Sequence, residues 1–307
     1  MSLTLNMVGG GSGGGEILPT DALLRVQATA GATVTITKGV VTKSDLGHEN
    51  ALDPTYYDYY FIIHQSQFDS VNPWTVTATL GVGVSSDTII IDDSAEYGMR
   101  LTPLVPSAYQ AVEFIQGTGS QFLRSPSNII TSYDSTAKYE FVFDFVPVSF
   151  GSEQMLWGMR STVNDSRWGV YRNQNNLAYY DATGLNNLSN IAGLTNNTYY
   201  HEVLTVNQGS VTYLRNGTSI KTGTTSKLPL DTRMGLLTLV MDDKWITGYA
   251  GKAKLYFSSF SINDAKVFNM IPCYRRSDSV AGMFDTVSET FCTNDGTGTF
   301  TVGSDVK

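Results

Sequence analysis

Apolar and polar residues alternate one for one through much of this chain. That period of two is the signature of a strand with one face buried and one face wet. Ala32-Thr33-Val34-Thr35-Ile36-Thr37 shows it, and so does Trp74-Thr75-Val76-Thr77-Ala78-Thr79-Leu80. Tyr139-Glu140-Phe141-Val142-Phe143-Asp144-Phe145 shows it most strongly. It sets Phe141, Phe143 and Phe145 on one face and Glu140, Val142 and Asp144 on the other. No long stretch carries the 3.6-residue period of an amphipathic helix. The alternation therefore predicts an all-β protein.

At 307 residues the chain is long enough for about two domains of ~150 residues. Residues 1–15 end in a Gly-rich run, Gly9-Gly10-Gly11-Ser12-Gly13-Gly14-Gly15, which reads as a tether behind a short attachment peptide. Residues 16–105 carry short strands divided by Gly and Asp turns, which suggests an immunoglobulin-like sandwich. Within them Asp53–Ile63 is dense in tyrosine and reads as a core strand, with an exposed contact patch as the alternative. Thr102-Pro103-Leu104-Val105-Pro106 reads as a stiff joint, because proline breaks strand pairing. Residues 106–307 form the larger domain. Its strands include Met155–Gly158, Trp168–Tyr171, Leu177–Tyr180, Tyr200–Val206, Gly235–Met241 and Ala253–Ile262, and Asn216-Gly217 marks a hairpin turn.

Charge narrows the partners. Hydrophobic residues make up 41% of the chain and charged residues only 16%, with a net charge of −8. The apolar share can fill cores, while the acidic balance opposes nucleic-acid binding, which needs a basic face to replace phosphate counterions. The longest basic run is Arg275-Arg276. No segment approaches the ~20 apolar residues of a membrane-spanning helix. The N-terminus has neither the basic region nor the apolar stretch of a signal peptide, so work outside a cell is expected to need some other exit route.

Val112-Glu113-Phe114-Ile115-Gln116-Gly117-Thr118-Gly119-Ser120-Gln121-Phe122 resembles the opening of the concanavalin A-like, LamG-like domains of bacteriophage structural proteins. Leu156-Trp157-Gly158-Met159-Arg160, Tyr213-Leu214-Arg215-Asn216-Gly217 and Gly251–Tyr256 are similar to later strands. The ending is the most specific part: Met270-Ile271-Pro272-Cys273-Tyr274-Arg275, then Ala281-Gly282-Met283-Phe284-Asp285, then Phe291–Phe300. The resemblance implies a small Ig-like β-sandwich followed by a concanavalin A-like jelly-roll β-sandwich. It also implies a virion setting, as a fibre or receptor-binding component, with attachment to other virion proteins through residues 1–8. A homotrimer follows from the resemblance alone, since no heptad repeat supports it. The alternatives are a decoration or assembly protein with protein contacts only, and an enzyme cleaving polysaccharide.

The chemistry on offer is thin. Sandwich-type carbohydrases place paired acids on one strand face. Here only Glu140 and Asp144 share a face, behind the phenylalanine row, and they read as outward acids; no enzyme is expected. Asp92-Asp93 and Asp242-Asp243 are acidic pairs at strand ends where calcium could take oxygen ligands, but solvated turns explain them as well. No other cofactor is called for. A bacterial surface glycan would want aromatic faces beside a few polar groups. Trp168, Tyr171, Arg172 and Asn173 fit that description, as do Tyr179, Tyr180, Asp242 and Trp245; core packing is the competing role for Trp168 and Tyr171. Cys273 and Cys292 form a disulfide or stay as two thiols, and thiols suit a chain with no secretion signal.

Overall fold

The computed structural model describes residues 18, 20–45, 47–49, 56–102, 104–149, 154–163, 166–173, 176–181, 184–187, 194–242, 244–245 and 250–306. The Gly-rich run lies outside them, as do Gln174, Asn175 and Asp243. Regular structure among the described residues is strand apart from one helical turn, Gln65–Gln67. The chain divides after Ser107 into two compact units, the larger running Ala108–Asp305.

The smaller unit holds β1 (Ala22–Thr29), β2 (Thr33–Lys38), β3 (Val41–Asp45), β4 (His48–Glu49), β5 (Tyr56–Ile63), β6 (Asp69–Leu80), β7 (Gly83–Ile91) and β8 (Glu96–Leu101). They form two four-stranded sheets, β4-β5-β1-β8 and β3-β2-β6-β7. The alternation works as expected: Leu24, Val26, Val34, Ile36, Trp74 and Val76 are all fully buried in one core. The tyrosine-dense strand joins that core. Tyr59 is fully buried and donates its hydroxyl to the Ala32 carbonyl, and burial pushes its phenol up to about 12.

The larger unit opens with three short strands, β9 (Tyr109–Ala111), β10 (Ile115–Gln116) and β11 (Leu123–Arg124). Then come β12 (Lys138–Pro147), β13 (Gln154–Ser161), β14 (Ser166–Asn173), β15 (Asn176–Asp181), β16 (Gly184–Asn187), β17 (Tyr200–Asn207), β18 (Ser210–Arg215) and β19 (Thr218–Thr224). The last are β20 (Gly235–Leu236), β21 (Val240–Met241), β22 (Lys244–Trp245), β23 (Ala253–Ile262), β24 (Ala265–Arg275), β25 (Ala281–Asp285), β26 (Thr290–Thr293) and β27 (Thr301–Val302). A main sheet runs β19-β18-β17-β12-β23-β24-β25-β26, with β9, β10 and β27 at its side. A second sheet runs β11-β20-β13-β14-β15-β16. Both contribute to a single core.

That core is aromatic. Phe141, Phe143 and Phe145 stack along β12, with ring centroids 5.9 and 5.1 Å apart. Phe141 meets Trp157 of the second sheet at 4.3 Å, and Trp157 meets Trp168 edge-on at 5.9 Å. Each such ring contributes about 1.5–3 kcal/mol by burial. Turn chemistry sets the order of strands. Asn216 and Gly217 both take positive φ, at 48° and 77°, as the two central residues of a tight hairpin require. Asn263 and Asp264 do the same between β23 and β24 without glycine, at 50° and 64°.

The inward side of the main sheet also buries charge. Glu202 pairs across strands with Arg215, and its carboxylate accepts from Arg215 Nε at 2.8 Å and from the Tyr213 hydroxyl. Glu202 and Tyr213 are each 1% exposed. Burial raises the pKa of both, the arginine partly opposing it. Removing one partner would leave a buried charge uncompensated. Glu202→Ala is expected to lose about 3–5 kcal/mol of unfolding free energy, read by denaturant titration.

The thiols are both free. Cys273 sits in β24 and Cys292 in β26, with β25 between them. Cys273 pairs with Gly282, whereas Cys292 pairs with Met283. Two strand spacings are roughly 9–10 Å, beyond the reach of a disulfide. The bridge entertained from sequence is therefore not made. Burial pushes each thiol up to about 12, which leaves almost no thiolate at neutral pH. Both cysteines should resist iodoacetamide at pH 7.5 in the native protein and react fully once it is unfolded, as read by mass spectrometry.

Candidate functional site

The outward face of the main sheet gathers groups that sequence alternation alone would scatter. Asp144 lies directly between His201 on β17 and Phe257 on β23. The β12–β23 register then slips: Phe145 pairs with Leu255, so Tyr256 is the extra residue of a β-bulge. Leu255 and Ser258 are buried on either side, and the half-buried Tyr256 and Phe257 both face outward. A regular strand would have sent one of them into the core.

Neighbouring elements complete an aromatic platform around this bulge. Tyr199, just before β17, meets Tyr256 edge-on at 5.5 Å and remains 47% exposed. Phe114, just before β10, packs on Tyr256 at 5.4 Å. Its ring lies over Gly303, where any Cβ would come within 2.8 Å of it, so only glycine leaves room. Lys254 holds its ammonium over the same ring at 4.3 Å.

A polar group is fixed in the middle. Asp144 accepts from His201 Nδ1 at 2.6 Å and from the Tyr199 hydroxyl at 2.9 Å. The carboxylate is mostly covered, while 44% of the imidazole side chain stays exposed. Partial burial, then the Asp144 charge, pushes the Tyr199 phenol well up; burial, then Glu113, raises Tyr256. Both phenols thus stay neutral donors at working pH. Stacking faces beside a carboxylate, an imidazole and hydroxyls can hold a saccharide, whose apolar ring face and hydroxyl rim need those two kinds of partner.

The residues expected from sequence to bind a glycan are elsewhere. Trp168 is 1% exposed and locked against Trp157, so of its two candidate roles it takes core packing and not sugar binding. Alternation along β14 turns it inward together with Val170. Tyr171, Arg172 and Asn173 continue β14, and Tyr179 and Tyr180 lie in β15 opposite Val170 and Gly169. Trp245 pairs with Val240 in β22. All of these belong to the second sheet. Asp242 has positive φ, at 45°, and accepts from the Thr162 backbone at 2.8 Å and hydroxyl at 2.6 Å. It pins a turn.

Glu140 and Asp144 do share the outward face, and each has its own partners. Glu140 meets Lys138 at 3.3 Å, while Asp144 meets His201 and Tyr199. At ~3.3 Å per residue their Cα atoms stand roughly 13 Å apart. Asp92 and Asp93 both accept from the Tyr97 hydroxyl. Among the described residues no three His, Cys, Asp or Glu side chains gather as a metal site would require. The sequence held one usable signal for the platform, the adjacent pair Tyr256-Phe257, which breaks the period of two.

No protein-family model matches the chain, and no curated protein does. Among solved structures it is similar to a candidate carbohydrate binding protein from Bacteroides ovatus, at 10% identity, with 94% of each chain covered and a TM-score of 0.43.

The Thr162 bonds hold the Asp242 carboxyl below its ordinary value. Its stabilising effect is therefore full above about pH 4 and is lost as the pH falls through the lowered value. Asp242→Asn should flatten the acid limb of the stability–pH curve, measured by thermal unfolding between pH 2 and 6.

Proposed function

We propose that this chain is a non-catalytic glycan-binding protein that seats a saccharide on the outward platform of the main sheet. The observation that carries the reading is the bulge at Tyr256, which turns two consecutive aromatics outward beside the Asp144–His201–Tyr199 cluster. Exposed or half-exposed aromatics fixed by packing lose little entropy when a ligand stacks on them. Catalysis finds less support. Glycoside hydrolysis asks for two carboxyls about 5–9.5 Å apart across one bond. The two acids on the outward face of β12, Glu140 and Asp144, are divided between separate hydrogen-bond partners.

The setting we propose is a phage or prophage particle, with the protein as a fibre or receptor-binding component and a bacterial surface glycan as its target. The support is the resemblance of residues 112–122 and 270–300 to phage structural proteins.

The test is a glycan array built from bacterial surface polysaccharides, probed with the full chain and with Tyr256→Ala. The wild type is expected to bind at least one array member. The variant should bind it roughly tenfold or more weakly, as expected for a central aromatic contact. Binding that survives Tyr256→Ala unchanged, or no binding to any glycan, would contradict the assignment.

A further inference from the structure

Beside the platform lie two ammonium groups that have no carboxylate partner among the described residues. Lys254 faces outward from β23 and lies over Phe114 at 4.3 Å. Lys252 precedes that strand by one residue, and alternation puts it on the same side. Its side chain lies along Gly119, where a Cβ would sit 2.8 Å from the lysine Cε. Gly119 also has φ +108°, a conformation that favours glycine. Lys254 thus lies on Phe114, which packs on Tyr256, and Lys252 lies on Gly119 of the same segment.

Charge at this place runs against the charge of the whole. The chain carries −8, yet no carboxylate pairs with Lys252 or Lys254 among the described residues. The other lysines nearby on this sheet are used: Lys138 is shared by Glu140 and Asp264, and Lys266 donates to Ser259. The acid inside the platform, Asp144, already accepts two hydrogen bonds, which offsets its charge. Glu113 at the rim is exposed and opposes an anion from one side.

We infer that the platform selects acidic saccharides, with the sugar ring stacked at Tyr256 and its carboxylate met by Lys252 and Lys254. The inference rests on the glycan-binding reading above and names the ligand class for it. Pre-ordered lysines spend little side-chain entropy on binding. A charge-assisted bond from an ammonium to a carboxylate is about twice as strong as a neutral one. The aromatic faces supply stacking to any sugar, while the lysines discriminate.

The experiment uses acidic bacterial polysaccharides presented in pairs, each beside its carboxyl-reduced, neutral counterpart. The full chain is expected to prefer the acidic member by roughly tenfold at low salt, with the preference fading toward 1 M salt as screening sets in. The double variant Lys252→Gln/Lys254→Gln should bind both members alike, at the wild type's affinity for the neutral one. Glu113→Gln should strengthen binding to the acidic member severalfold. Equal binding of both members by the wild type would overturn the acidic preference and leave the glycan platform standing. Binding to neither member of any pair would overturn both. A double variant that keeps the acidic preference would place the discrimination on other residues.

Discussion

The pleat of β12 governs the larger unit. One residue in two along this strand enters the core, and the next faces out. Phe141, Phe143 and Phe145 therefore stack inward, while Asp144 stands outward between them. A shift of one residue would bury the acid and expose the phenylalanines. The core thus fixes the register, and the register places Asp144 beside His201 and Phe257. The outward cluster is a consequence of inward packing.

A bulge and a buried acid give the main sheet its character. The bulge at Tyr256 adds one residue without a partner, so two aromatics face outward in succession. Inside, Glu202 occupies a position where alternation calls for an apolar residue. Arg215 and Tyr213 satisfy it, and Arg215 lies against the Tyr200 ring at 5.1 Å. Such a buried network costs desolvation, yet it holds β17 and β18 in a single register. The hairpin that carries His201 and the adjoining Tyr199 is thereby locked from behind.

Much of the fold was legible from periodicity and turn residues. The alternation in β2, β6 and β12 located strands and their buried faces correctly, and Asn216-Gly217 located a hairpin. The β23–β24 turn leaves no such signal, because Asn263-Asp264 reaches positive φ without the glycine that announces it. The candidate site was much less legible. Trp168 looked like a sugar-binding residue because tryptophan beside Arg and Asn suits that role, but neighbour composition does not reveal which face a side chain occupies. Trp157, Phe141 and Trp168 are distant in sequence, and their contact decides the matter. Asp144 was correctly read as outward-facing. Its partners were invisible because His201, Tyr199 and Tyr256 arrive from separate segments.

The central claim is that the outward face of β12, β17 and β23 is where this protein meets its ligand. A crystal structure of the full chain with a bound saccharide tests it most directly. The expected result is a sugar ring stacked on Tyr256, within hydrogen-bonding distance of the Asp144–His201–Tyr199 cluster. A saccharide seated instead on β14 and β15 of the second sheet, or on the smaller unit, would contradict it.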